Sequence, residues 1–78
     1  MTSTPPMTGT VIDHEESARY IPVAVEELRR VEFLLPGDFR EGVPAPGSKV
    51  AVFYAAKPWG MGFTAAPVAS AEATAPHP

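Results

Sequence analysis

Ala24 to Leu35 reads AVEELRRVEFLL, and the fold class of the whole chain turns on whether those residues form a helix or a strand. Leu, Glu, Arg and Ala dominate the window, so intrinsic propensity favours a helix. Glu26 and Glu27 would lie in its first turn, where the helix dipole favours negative charge, with Glu26 ahead of Arg30 in the stabilising i, i+4 order. Ala24, Leu28, Val31 and Leu35 would share one face, Val25 and Leu34 its margins, and Pro36-Gly37 would end it. The competing reading is a strand from Arg30 to Leu35, with Val31, Phe33 and Leu35 on one side. The helix is the expectation taken forward. It makes the chain a minimal α+β domain of one short helix, residues 24–35, and a few strands; the alternative is a small all-β, barrel-like domain.

Downstream, Pro36 to Ser48 carries prolines and glycines placed for turns, a compact irregular connector that Phe39 and Val43 would pin to the core. It delivers the chain into Lys49 to Ala56, KVAVFYAA, a β-branched and aromatic run that reads as a strand. Alternation places Val50, Val52, Tyr54 and Ala56 on one face and Ala51, Phe53 and Ala55 on the other. Both faces are apolar and need cover, which a chain this short has little to supply, so the pattern points to a partner. Lys57 to Phe63, KPWGMGF, then alternates Trp59, Met61 and Phe63 with two glycines. Only what those side chains touch can order such a segment, either the strand before it or a partner's pocket.

Upstream, Ser17 to Val25 suggests a short extended piece that Pro22 would confine to a sheet edge, unless Pro22 opens the helix instead. Met1 to Glu16 is polar and ends in Asp13-His14-Glu15-Glu16, so residues 1–16 read as a flexible acidic arm. The acidic-histidine cluster invites a metal reading, but neighbours in an extended chain point to opposite sides and no second ligand group completes a site. Residues 64–78, rich in alanine and proline, read as a disordered tail in which His77 is inert. The folded or partner-folded part is then residues 17–63. That is about 47 residues, near the size at which lone domains need extra support.

Composition narrows the function. There is no cysteine, which excludes disulfides and thiolate metal sites. With no ordered histidine or thiol, the chain lacks the parts of an activated nucleophile, and it reads as no enzyme, with no cofactor. The net charge of −3 and the absence of any basic run beyond Arg29-Arg30 count against a nucleic-acid module, although exposed aromatics could stack bases. No apolar stretch is long enough to span a bilayer, and the N-terminus lacks a secretory pattern, so a cytoplasmic location is the default. Gly42 to Lys49 holds no phosphate-loop pattern. The leading expectation is a small accessory subunit or adaptor that docks on a larger protein, or on copies of itself. Phe53, Tyr54, Trp59, Met61 and Phe63 would supply apolar contacts, and Arg29, Arg30 and Arg40 the rim charges. An alternative is a precursor or scaffold peptide whose 24–35 helix is read by a modifying enzyme.

Overall fold

Residues 24–35 do not form the expected helix. In the computed structural model, which describes residues 6–68, they are the end of one strand, a turn and a second strand. The elements are β1 (Met7–Val11), β2 (Ile21–Val25), β3 (Arg30–Leu34), a 3₁₀ turn (Pro36–Asp38), β4 (Lys49–Lys57) and β5 (Gly60–Pro67). All five strands join one sheet in the order β3-β2-β1-β4-β5, every neighbouring pair antiparallel. The fold is a curled half-barrel sheet, so the α+β expectation is corrected.

The reason lies in what each conformation buries. A helix would have buried Ala24, Leu28, Val31 and Leu35. The strand pair instead drives Val25 and Leu34, marginal in the helical reading, to near-complete burial, while Val31 stays exposed. Leu28 packs against the core from within the turn. The turn is closed by the Arg29 N–H donating to the Glu26 carbonyl (3.1 Å), with Arg29 at φ 54. A non-glycine residue in that left-handed region stops a nascent helix and sends the chain back along β2. Helix propensity over so short a window is a small term that long-range pairing overrides.

A second correction concerns the arm expected at residues 1–16. Met7–Val11 is the central strand, hydrogen-bonded to β2 on one side and β4 on the other. Its polar look comes from Thr8 and Thr10, on the outer face, and from Gly9, on the core face. A Cβ at Gly9 would lie 2.6 Å from Val23 Cγ1 and 2.8 Å from Val52 Cγ2. Glycine lets the valines of both flanking strands close over the middle of the sheet. The Thr8 N–H donates to Glu27 Oε1 (2.8 Å), and this bond lowers the Glu27 carboxyl below its ordinary pKa.

Pro22 is not on an edge strand, since β2 lies between β1 and β3. Its missing N–H falls where β1 has just ended: the Ile12 N–H donates to the Pro22 carbonyl, but Pro22 cannot return the bond. The Ile12 carbonyl instead pairs with His14 Nδ1 at 2.8 Å, which requires a proton on that nitrogen. His14 thus serves the backbone of a segment that had been expected to be mobile.

The core on the concave side consists of Val11, Ile21, Val23, Val25, Leu34, Phe39, Val50, Val52 and Ala65. Phe39 is buried, as expected for a pin; Val43, expected to act likewise, is exposed. Phe39 also bridges Ala65 in parallel, and the Arg40 N–H donates to the Ala65 carbonyl (2.9 Å). This contact brings the chain leaving β3 against the free side of β5 and curls the sheet. β5 runs to Pro67, so the tail expected from residue 64 is ordered at its start; residues 69–78, His77 included, lie outside the described residues. Among the described residues no helix is long and apolar enough to cross a membrane.

Candidate docking surface

Strand β4 was expected to need cover along its whole length, but the sheet covers half of it. Val50, Ala51 and Val52 are buried by β1 and β5, whereas Tyr54 and Ala56 are exposed. Beyond Val52 the β4–β5 hairpin outruns β1, whose pairing with β4 ends at Met7. The apolar surface left over is therefore concentrated at the hairpin end.

Register sorts the expected contact residues between two faces. Tyr54 pairs with Phe63 and Ala56 with Met61, in line with core residues Val52 and Ala65, so these four extend the concave face past the core. The Tyr54 and Phe63 rings are tilted, 5.1 Å between centroids. Phe53 lies on the outer face opposite Thr64, under the Arg40 guanidinium at 4.9 Å from the ring centroid. Arg40 is thereby engaged with Phe53. Arg30 forms an ion pair with Glu32 on its own strand, and Arg29 occupies the β2–β3 turn. The expected arginine rim is divided between the β2–β3 end and the outer face of the hairpin.

The hairpin tip is held by a small polar network. Lys57 Nζ meets Asp38 Oδ1 at 2.5 Å, with both side chains largely buried. The Leu35 N–H donates to Asp38 Oδ2 (3.0 Å), and Thr64 Oγ1 donates to the Asp38 carbonyl (2.8 Å). A Cβ at Gly62 would stand 2.9 Å from Lys57 Cγ, so the glycine lets the lysine lie across β5 toward its partner. Both oxygens of Asp38 are occupied within the chain.

This network shapes an open depression of ≈ 320 Å³ lined by Tyr20, Phe33, Leu35, Asp38 and Trp59. Trp59 is 69% exposed, Phe33 66% and Tyr20 51%, so three aromatic rings border one hollow with their surfaces in water. Of these, only Trp59 was anticipated. Phe33 and Leu35 lay in the stretch read as helix, and the signal that could have found them was the period-two alternation of Val31, Phe33 and Leu35. Tyr20 carried no pattern of its own.

Other chemistry is sparse among the described residues. No group of three or more His, Cys, Asp or Glu is placed to hold a metal ion. Lys49 reaches Glu26 (3.8 Å) and Thr10 Oγ1 (2.9 Å). Fold and surface together define a small curled antiparallel β module with an aromatic hollow and an apolar hairpin. The chain matches no family model, no curated protein and no solved structure.

Proposed function

We propose that this chain is a non-catalytic docking module, an accessory subunit or adaptor. It binds an extended apolar segment of a larger protein in the hollow between the end of β3 and the tip of the β4–β5 hairpin. The observation that carries this reading is the convergence of Tyr20, Phe33 and Trp59 around a hollow whose one carboxylate, Asp38, is satisfied internally. Exposed aromatic surface without a free charge favours an apolar, extended occupant, of which a proline-containing segment loses least entropy on docking. Aromatic anchors are also the residues that dominate binding energy at small interfaces.

The nucleic-acid reading has less support, because Arg30, Lys49 and Lys57 face carboxylates and Arg40 faces a ring. The precursor reading required a helix at residues 24–35 as its recognition element, and those residues are strand and turn.

The test is selection from a random-peptide display library, followed by titration of the enriched peptides while the emission of Trp59, the sole tryptophan, is monitored. Apolar peptides that shift the emission to the blue, and that lose about tenfold or more in affinity against Phe33→Ser, are the expected result. Phe33 is exposed, so its replacement should leave the fold intact. Absence of enrichment, or equal affinity for the Phe33→Ser chain, would refute the proposal.

A further inference from the structure

The geometry points to strand addition as the way the hollow is used. The docked segment runs antiparallel to β3 along its open edge, with an apolar residue opposite Phe33, a proline opposite Leu35 and a carboxylate opposite Arg29. This deepens the docking reading above and rests on it.

The two edges of the sheet differ. β5 is covered, because Asp38 of the 3₁₀ turn takes Lys57 and Thr64, and Phe39 and Arg40 hold Ala65. β3 ends the sheet on the other side and has no strand beyond it among the described residues. Which of its main-chain groups are free follows from the register. The Glu26 N–H donates to the Thr8 carbonyl (3.0 Å) and the Ile12 N–H to the Pro22 carbonyl (3.0 Å), so Pro22 and Ala24 face β1, and Ile21, Val23 and Val25 face β3. Their partners Leu34, Glu32 and Arg30 therefore face β2, and Val31 and Phe33 present N–H and C=O outward. Leu35 is next in that outward series, but Asp38 takes both its groups: the Leu35 N–H donates to Asp38 Oδ2, and the Leu35 carbonyl accepts the Asp38 N–H. The edge open to pairing runs from Val31 to Phe33 and ends at the hollow.

That ending dictates the sequence of the occupant. A residue opposite Phe33 exchanges both main-chain bonds with it and must keep its N–H. A proline two places before it, opposite Leu35, gives up only a donor that would find no acceptor. Both side chains fall on the face of Phe33 and Leu35, which line the hollow with Trp59. The antiparallel direction is that of every pair already in the sheet, and it is the more stable per residue.

At the other end of the edge, Val31 lines a second open depression, ≈ 410 Å³, with Arg29, Arg30 and Glu26. Arg30 is paired with Glu32, and Glu26 lies 3.8 Å from Lys49. The Arg29 guanidinium has no carboxylate partner among the described residues. A carboxylate of the occupant complements it. Alternate residues of an added strand share a face, so a small β-branched residue opposite Val31 and the carboxylate two places further on reach this depression from the side on which the apolar residue reaches the hollow. Charges on an edge strand usually discourage pairing, but Arg30 and Glu32 neutralise each other.

The experiment titrates the full chain with the synthetic peptide Ser-Pro-Thr-Leu-Thr-Val-Thr-Glu-Ser, read by Trp59 emission and amide exchange. The Val31 and Phe33 amides should gain protection, while that of Glu32, already bonded within the sheet, changes little. Methylating the peptide's leucine nitrogen, or reversing the peptide sequence, should weaken binding about tenfold or more. Arg29→Asn keeps a residue that tolerates the left-handed turn. It and a Glu-to-Gln peptide should each lose about two- to fivefold, with no further loss when combined. Binding absent up to millimolar peptide overturns the proposal, as does equal affinity of the methylated or reversed peptide, unprotected Val31 and Phe33, or losses at Arg29 and the peptide carboxylate that simply multiply. The docking reading is decided separately by the Phe33→Ser response of library-selected peptides. Apolar peptides that need Phe33 but not their own N–H groups would refute strand addition alone.

Discussion

At the scale of single residues, Gly9 and Glu27 explain how a polar-looking segment becomes the middle of a sheet. Gly9→Ala would drive a methyl group into Val23 and Val52 at distances no real Cβ adopts, and the surrounding sheet can yield only by separating strands. We expect a loss of about 1–3 kcal/mol, seen as a fall in Tm of roughly 5–20 °C in thermal denaturation. An unchanged Tm would mean that the valines are not closed over this position. Glu27 acts differently. Its carboxylate accepts the Thr8 N–H, and the folded-state pKa is lowered. The stabilisation is therefore present above the ordinary carboxylate pKa and disappears as the pH falls through that value to the lowered one. Glu27→Gln should be less stable than the parent at neutral pH, and the gap should close on acidification; a gap that persists at low pH would contradict the assignment.

At the scale of elements, β1 connects the two halves of the sheet. Without it β2–β3 and β4–β5 are two separate hairpins, each only marginally stable in water. A chain lacking residues 1–11 should therefore give collapsed amide dispersion and no cooperative thermal transition. Retention of a dispersed spectrum would restore the view of this segment as an arm. The β4–β5 hairpin shows the complementary lesson. Lys57-Pro58-Trp59-Gly60 was legible as a chain stop, and alternation of Trp59, Met61 and Phe63 with glycines was visible in the letters. That the glycines serve a strand, with Gly62 clearing a path for Lys57 toward Asp38, depends on a residue far away in sequence.

For the whole molecule, the curl of the sheet covers the first half of the apolar strand, Val50 to Val52, within the chain itself. Its concave face buries Val50 and Val52 beneath residues from every other strand and Phe39. A labelled sample at low micromolar concentration should therefore already show dispersed amides for residues 7–67, with no partner present. Collapsed peaks under those conditions would return the core to an intermolecular origin. What the curl does not cover is the hairpin end, the aromatic hollow and the edge of β3, and binding is proposed at the last two rather than along β4 as a whole.

Several features followed from local chemistry alone: the strand beginning at Lys49, the Pro46-Gly47 turn that feeds it, the Phe39 anchor and the end of that strand at Pro58. Each depends on the alternation, ring constraint or bulk of adjacent residues, which the letters display directly. The choice of strand over helix for residues 24–35, the place of Met7–Val11 at the centre and the meeting of Tyr20 with Phe33 and Trp59 were decided by tertiary structure. The physical reason is that they depend on register between strands distant in sequence. A helix at 24–35 satisfied its own backbone, but it could not bury Val25 and Leu34 or give β1 a second neighbour. Those non-local gains outweigh the few tenths of a kcal/mol per residue by which local propensity favoured the helix.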